Sequence, residues 1–299
     1  MDRRRFLKEL VVGALAVRTL GYSSASPMPA SDSERARSAS GLKKAVILDM
    51  LPETSDLESR FTLARDLGFH GLEVKPVDDL ALAKRMRQAA EKVGIELHSV
   101  IYGGWHAPLS SPDEATAEAG VEGVRNALKC AKEIGADGVL LVPAIVNEKV
   151  RYVEAYERSQ RRLKLLAKTA EDLQVRILVE NVWNNFLLSP IEFARYIDEI
   201  GSTWVQAYFD VGNVVAFGWP EDWIRTLGGR IKKVHLKDFK KSSRQFVNLR
   251  EGDVNWAEVR RALHEIVYTG YLTAELRGGD QEYLRDLSSR MDVIIHGRF

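Results

Sequence analysis

Apolar and polar positions follow two alternating patterns along the chain, from Lys43 to the C-terminus. Short runs rich in Val, Ile and Leu are typical of strands buried on both faces, and the longer stretches between them have the apolar spacing of amphipathic helices. The predicted strands are 45–51, 70–74, 95–101, 138–143, 175–180, 204–210, 231–235 and 271–275. The predicted helices are 56–67, 79–93, 116–134, 152–173, 190–200, 220–227, 255–267 and 281–295.

This regular succession predicts a closed barrel. Strands that alternate with helices pair in parallel, because each helix returns the chain to the side of the sheet where the next strand begins. Eight such units are the number that closes the sheet into a (β/α)8 barrel, and about 250 residues is typical of that fold. The sequence therefore predicts the α/β class, with a single (β/α)8 TIM barrel as the catalytic domain at residues 43–299.

Residues 1–42 differ in composition from the barrel region. A basic start with Arg3 and Arg4 is followed by a short apolar stretch and then by Ser-, Pro- and Ala-rich sequence, which is the order of an export signal. The paired arginines resemble the twin-arginine motif, although Asp2 stands where Ser or Thr is usual. We therefore expect a twin-arginine-type export signal with a disordered linker, and a periplasmic location. The alternative is a disordered basic tail on a cytoplasmic protein.

Four successive predicted strands end in a side chain that can bind a metal ion. These side chains are Glu180, Asp210, His235 and Glu275. The carboxyl ends of barrel strands converge on one mouth, where the active sites of such barrels lie. Singly, each residue has a structural explanation, because helix N-termini favour acidic groups at strand ends. Together they favour one divalent ion with oxygen and nitrogen ligands, namely Mn²⁺, Co²⁺, Mg²⁺ or Zn²⁺.

Further polar and aromatic side chains are expected at the same mouth as substrate-binding residues. They are Glu73, His98, Trp105, His106, Asn181, Trp183, Asn213, Lys237 and Arg277. Arg277 stands two residues beyond Glu275, so it faces the same way if the strand continues. Acids, amides and indole rings suit a polyhydroxylated ligand, whose hydroxyls pair with polar groups and whose C–H faces stack on rings. We therefore expect a sugar or keto-sugar as the ligand.

Net charge and hydropathy exclude two classes of partner. A formal net charge of +1 gives no general attraction to nucleic acid or to an anionic membrane. The longest apolar runs are shorter than the roughly 18 residues of a membrane-spanning helix. The expected partner is a small molecule, without nucleic acid and without stable membrane insertion after signal removal.

The segments around the four strand ends resemble the xylose isomerase-like superfamily, specifically its sugar phosphate isomerase/epimerase group. That group includes D-tagatose 3-epimerase, L-xylulose-5-phosphate 3-epimerase and hexulose-6-phosphate isomerase-like proteins. The segments are Glu180, Phe209-Asp210-Val211-Gly212-Asn213, Lys233-Val234-His235-Leu236-Lys237-Asp238 and Ala274-Glu275. The resemblance implies that Glu180, Asp210, His235 and Glu275 hold one divalent ion. It also implies that Glu180 and Glu275 are acid/base partners on opposite faces of a ketose, in a homodimer or homotetramer.

Two positions depart from the pattern of ketose 3-epimerases. Asn213 stands where those enzymes have a His, and Phe186 stands where they have a substrate-binding Glu. The resemblance therefore implies the class of chemistry but not the sugar. An exported enzyme would meet a free or oxidised sugar, because sugar phosphates are cytosolic metabolites.

The combined interpretation is a metal-dependent sugar isomerase or epimerase that moves a proton through an enediolate between Glu180 and Glu275. One alternative is a lyase or hydratase that acts on a 3-keto sugar or glycoside with the same ion. A second is a non-catalytic sugar-binding barrel, against which the presence of both glutamates argues. A phosphodiesterase resembling endonuclease IV needs several more His ligands and a basic surface, and the chain has six His in total.

Overall fold

The structure is a computed structural model that describes residues 41–53 and 56–299. The strands are β1 (Leu42–Ile47), β2 (Gly71–Val74), β3 (Glu96–Gly103), β4 (Gly138–Leu141), β5 (Arg176–Glu180), β6 (Val205–Asp210), β7 (Ile231–Leu236), β8 (Asp238–Lys240), β9 (Gln245–Val247) and β10 (Gly270–Ala274). The helices are α1 (Leu57–Asp66), α2 (Leu80–Val93), α3 (Glu114–Ile134), α4 (Tyr152–Leu173), α5 (Pro190–Ile200), α6 (Val211–Val215), α7 (Pro220–Leu227), α8 (Trp256–Glu265) and α9 (Gln281–His296).

Eight of the strands form a closed barrel in the order β1, β10, β7, β6, β5, β4, β3, β2. Neighbouring strands are parallel, and the last strand pairs with the first, with Leu42 opposite Gly270. The prediction of an α/β fold with a single (β/α)8 TIM barrel is confirmed. Since all eight strands run in one direction, their carboxyl ends lie at one mouth.

Local sequence signals set the helix boundaries. Asp79, Asp113 and Ser189 cap helices α2, α3 and α5 by accepting a backbone N–H of the first turn. Gly94 and Gly135 end α2 and α3 in the left-handed conformation, which glycine adopts without a steric penalty. Most predicted helices therefore begin and end within two residues of their expected positions.

The structure differs from the prediction after three strands. Strand β1 stops at Ile47, and Leu48–Met50 forms a short 3-10 helix where a strand to Leu51 was predicted. The five-residue helix α6 follows Asp210 directly. Residues predicted as a long polar loop after His235 instead contain an antiparallel hairpin, in which β8 pairs with β9. Each of its strands is only three residues long, and together they hold as many polar as apolar residues, so the segment lacks the apolar run that is typical of a barrel strand.

Asp238 anchors this hairpin to the segment that follows it. Its buried carboxylate accepts hydrogen bonds from the backbone N–H of Arg250, at 2.8 Å, and from the indole Nε1 of Trp256, at 3.0 Å. The backbone of Gly252 lies so close that a Cβ there would be 2.1 Å from Asp238 Oδ1. These contacts fix the start of the hairpin against the segment that leads into α8.

The predicted export signal cannot be compared with the structure. Residues 1–40 lie outside the described residues, and Leu42 already begins β1. Within 41–53 and 56–299, no helix is long and apolar enough to cross a bilayer. Export and periplasmic location therefore stay predictions.

Candidate metal centre

The four predicted ligands come together at the carboxyl mouth of the barrel. Glu180, Asp210, His235 and Glu275 each offer one ligand atom, and these atoms all lie within 4.8 Å of one another. Opposed ligands of one ion are about 4–4.4 Å apart at the usual bond lengths of about 2.0–2.2 Å. We refer to these four residues as the metal centre. Three of them are buried and Glu275 is half-buried.

Two carboxylate oxygens of the metal centre lie where a positive charge is needed. Asp210 Oδ2 and Glu275 Oε2 are buried, and their contacts with the described residues are ion pairs rather than well-aligned hydrogen bonds. Lys237 Nζ lies 2.7 Å from Glu275 Oε2 and 3.3 Å from Asp210 Oδ2, so its positive charge offsets part of theirs. Buried carboxylates without hydrogen bonds are costly unless a cation compensates them. The donor set of three carboxylates and one imidazole suits a divalent ion.

The short helix α6 orients Asp210. As the N-cap of this helix, Asp210 accepts the backbone N–H of Asn213 on Oδ1 at 2.7 Å, which leaves Oδ2 for the metal centre. Gly212 lets the helix approach β7, because a Cβ there would lie 2.4 Å from the Cβ of Lys237. The Asp-Val-Gly-Asn sequence thus builds the ligand geometry as well as supplying the ligand.

His235 is held between two sets of carboxylates. Its Nδ1 lies 3.0 Å from Glu180 Oε1 and 2.8 Å from Glu275 Oε2. Its Nε2 lies 2.6 Å from Glu73 Oε2, and Glu73 also accepts a hydrogen bond from Ser99 Oγ at 2.7 Å. A proton on Nε2, donated to Glu73, leaves the lone pair of Nδ1 for an ion. Carboxylates that orient a ligating histidine in this way are common in metal sites.

The local charges shift the pKa values of the centre in different directions. Burial raises the pKa of Glu180 to about 7. Burial acts on Glu275 in the same sense, but the charges of His235 and Lys237 outweigh it and hold its pKa below the usual range. Burial alone would lower the pKa of His235, yet the carboxylates of Glu73 and Glu275 raise it. The two glutamates therefore have different proton affinities although they belong to one cluster.

Glu73 requires a correction, because we expected it to bind substrate. It is 0% exposed at the end of β2 and lies behind His235, on the side away from the other ligands. A side chain with no exposed surface, bonded to both His235 and Ser99, does not reach a substrate. Glu73 instead orients the imidazole of His235, a candidate ligand.

Glu73→Gln is expected to weaken metal binding about 10- to 100-fold, the usual effect of losing such a support. The amide keeps the volume of the carboxylate but removes the negative charge that fixes the proton on Nε2 of His235. Calorimetric titration with Mn²⁺ measures the affinity, and Glu91→Gln, an exposed change on α2, is the control. Unchanged affinity in Glu73→Gln would show that His235 needs no such support.

Asn181 also requires a correction. Its amide nitrogen donates to the backbone carbonyl of Asp210 at 2.8 Å, and its amide oxygen accepts the Asp210 N–H at 2.9 Å. Asn213 Nδ2 donates to the Asn181 carbonyl at 3.0 Å. Because both polar atoms of the Asn181 amide bind backbone, this side chain aligns the ends of β5 and β6 rather than contacting substrate.

His98 is the expected residue that the structure places elsewhere. It is the third residue of β3, near the amino-terminal end of the barrel, where it lies 3.3 Å from Lys233 Nζ and 3.2 Å from Thr273 Oγ1. Its ring stacks on Tyr271 at 4.0 Å. The prediction that His98 faces the mouth is wrong, because β3 continues for five residues beyond it.

The expected aromatic residues lie in loops at the mouth. Trp183 donates from Nε1 to the Asn213 carbonyl at 2.9 Å, while its ring is 50% exposed and stacks on Phe246 at 5.1 Å. Trp105 and His106 are exposed in the loop after β3. A sugar-binding role for these three stays a prediction.

A cleft of about 430 Å³ adjoins the metal centre. Its lining residues are Lys237, Phe246, Val247, Asn248, Glu275, Leu276, Arg277 and Tyr283. Arg277 was expected to share the face of Glu275 by strand alternation, but β10 ends at Ala274. It nevertheless lines the same cleft. The sequence analysis did not identify Phe246, Asn248 and Tyr283 as residues of the site. The available signal was a pair of phenylalanines, at 239 and 246, on either side of a polar stretch, which indicates the hairpin that brings Phe246 to the cleft.

Comparison with known proteins identifies relatives that share this barrel fold. The model of the xylose isomerase-like TIM barrel family matches residues 61–292. The L-ribulose-5-phosphate 3-epimerase of Escherichia coli K12 is 29% identical over 236 residues, covering 73% of this chain and 81% of that enzyme. A D-tagatose 3-epimerase-like protein of known structure has a TM-score of 0.73 at 22% identity, covering 86% of this chain and 100% of the other. The IOLI protein, whose crystal structure contains a zinc atom, has a TM-score of 0.73 at 16% identity, over 86% of this chain and 99% of the other.

Proposed function

Since the chain belongs to the xylose isomerase-like TIM barrel family, we propose that it is a divalent-metal-dependent sugar isomerase or epimerase acting on a ketose or keto-sugar. The convergence of Glu180, Asp210, His235 and Glu275 at the barrel mouth carries this proposal. The 29% identical relative, an L-ribulose-5-phosphate 3-epimerase, supports it from an independent direction.

The proposed reaction moves one proton next to a carbonyl. A bound divalent ion would polarise that carbonyl and stabilise the negative charge that develops on its oxygen. One of Glu180 and Glu275 removes the proton from the adjacent carbon, and the other delivers a proton to the opposite face, which gives the epimer. Delivery to the neighbouring carbon gives the aldose–ketose isomer instead. Lys237, 2.7 Å from Glu275 Oε2, adds a positive charge beside this glutamate, where negative charge develops in the proposed reaction.

The substrate contacts should differ from those of ketose 3-epimerases. Phe186, at the position of their substrate-binding Glu, is 1% exposed and packs 5.3 Å from the ring of Tyr152 in the helical layer. Asn213, at the position of their His, donates a hydrogen bond from its amide nitrogen to the Asn181 carbonyl. Two polar contacts implied by the resemblance are therefore replaced, so we propose a different sugar.

Proton exchange in deuterated water tests the proposal. Protein loaded with Mn²⁺, Co²⁺, Mg²⁺ or Zn²⁺ is incubated with a panel of ketoses and keto-sugars, and NMR follows deuterium at the carbon beside the carbonyl. We expect incorporation that EDTA abolishes and added metal restores. Metal-loaded protein that exchanges no proton in any sugar would contradict the proposal, and loss of a leaving group would favour the lyase alternative.

A further inference from the structure

We propose that Lys237 is a positioning residue of the metal centre, whose ammonium competes with the divalent ion for the same carboxylate oxygens. It therefore weakens ion binding, and it holds the ligands together when no ion is bound. The inference rests on the proposed function in one respect, namely that a divalent ion binds at the metal centre. No assumption about the identity of the sugar is needed.

Lys237 contacts two ligands of the metal centre at once. Its Nζ lies 2.7 Å from Glu275 Oε2 and 3.3 Å from Asp210 Oδ2, and its side chain is only 16% exposed. These are the two buried oxygens that lack well-aligned hydrogen bonds. An ion bound by both oxygens at about 2.0–2.2 Å and an ammonium close to both repel each other strongly at such short range. Ion binding and the contacts of Lys237 therefore oppose each other.

The charges of the centre show what Lys237 contributes when no ion is bound. Glu180, Asp210 and Glu275 bring three carboxyl groups into one cluster, and like charges this close disfavour each other. One ammonium offsets part of their charge, and a divalent ion offsets more. Because the cluster is largely buried, salt screens these interactions only weakly. Lys237 therefore stabilises the converged ligands in place of an ion and must give way when an ion binds.

The backbone of Lys237 is fixed, whereas its ammonium has a second place to go. Lys237 lies between β7 and β8, and Gly212 approaches it so closely that a Cβ there would be 2.4 Å from the Cβ of Lys237. The side chain ends at the cleft of about 430 Å³, where Nζ lies 5.6 Å from the centroid of the Phe246 ring. An aromatic face at this distance attracts an ammonium. An ion can therefore displace the ammonium toward Phe246 without moving the backbone.

The test measures ion binding and stability rather than turnover. The wild type, Lys237→Met and Lys237→Arg are treated with EDTA, dialysed and titrated with Mn²⁺ in a calorimeter. Methionine keeps most of the apolar stem of lysine and removes the charge, whereas arginine keeps the charge. Lys240→Met is the matched control, because Lys240 lies at the exposed end of β8, outside the metal centre. Melting temperatures of the same samples are measured without Mn²⁺ and at saturating Mn²⁺.

Lys237→Met should bind Mn²⁺ about 10- to 100-fold more tightly than the wild type, the factor that corresponds to one hydrogen bond between charged groups. Lys237→Arg should bind it no more tightly than the wild type, and Lys240→Met should be unchanged. Without Mn²⁺, Lys237→Met should melt roughly 4 °C below the wild type, because the carboxylates lose their cation. Saturating Mn²⁺ should raise its melting temperature more than that of the wild type, because stabilisation by a ligand grows with affinity.

Unchanged or weaker Mn²⁺ binding by Lys237→Met would overturn the inference, since a purely structural ion pair predicts lower stability without tighter binding. Equally tighter binding by Lys240→Met would overturn it as well, because the effect would then belong to the overall charge. Failure of the proposed function gives a different result. If the wild type binds Mn²⁺ but turns over no sugar, the measured affinities still decide the role of Lys237. If the wild type binds no ion, binding by Lys237→Met supports the inference, and no binding by either protein rejects it.

Discussion

Glu275→Gln is expected to lower kcat about 10²–10⁴-fold at saturating metal, the range attributed to a positioned acid or base. Glutamine keeps the shape of the side chain and one oxygen that can bind an ion, but it cannot take up a proton at neutral pH. Glu180→Gln should have an effect of similar size. Steady-state kinetics with metal content measured on the same samples provide the comparison, and circular dichroism verifies the fold.

Two controls separate proton transfer from metal binding. Asp210→Asn alters a ligand with no assigned proton, so at saturating metal it should retain more activity than either glutamine variant. The second control follows deuterium exchange from each epimer separately. Glu275→Gln should abolish exchange from one epimer and spare the other, and Glu180→Gln should show the reverse. If each variant loses exchange from both epimers alike, the two glutamates do not act on opposite faces.

The convergence of the four candidate ligands could be predicted because barrel topology links sequence to position. A buried strand is a short apolar run, and in a parallel barrel the residue at its carboxyl end must lie at the mouth. Glu180, Asp210 and His235 followed from this rule without any tertiary information. Glu275 followed as well, although it stands one residue beyond the end of β10.

The surroundings of the ligands could not be predicted, because they depend on contacts between distant segments. Glu73 and His235 are 162 positions apart, and nothing in either local sequence indicates that one supports the other. An Asn at position 181 looks the same in the sequence whether its amide binds a sugar or the backbone of Asp210. The error on His98 has a different origin, since the sequence did not fix how far β3 continues. Periodicity thus identifies which strands bring candidate ligands to the mouth, and packing decides the role of the residues around them.

His235→Ala is expected to remove essentially all bound metal, from about one divalent ion per chain to none after dialysis. The change deletes the only nitrogen ligand of the centre and leaves three carboxylates close together with less positive charge between them. Elemental analysis of the purified protein measures the metal content. His264→Ala is the control, because His264 is exposed on α8, far in sequence from every ligand strand except β10. Full metal content in His235→Ala would exclude the centre as assigned.

The same variant should also be less stable, because Glu73 loses its imidazole partner. Removing one member of a buried charged pair costs on the order of 3 kcal/mol, since the other remains buried and uncompensated. Adding Glu73→Gln to His235→Ala should therefore recover part of the stability in denaturant unfolding, while metal binding stays absent. Recovery of stability without recovery of metal would show that Glu73 acts through His235. If the second change destabilises the protein further, Glu73 has a structural role of its own, independent of the metal ligand.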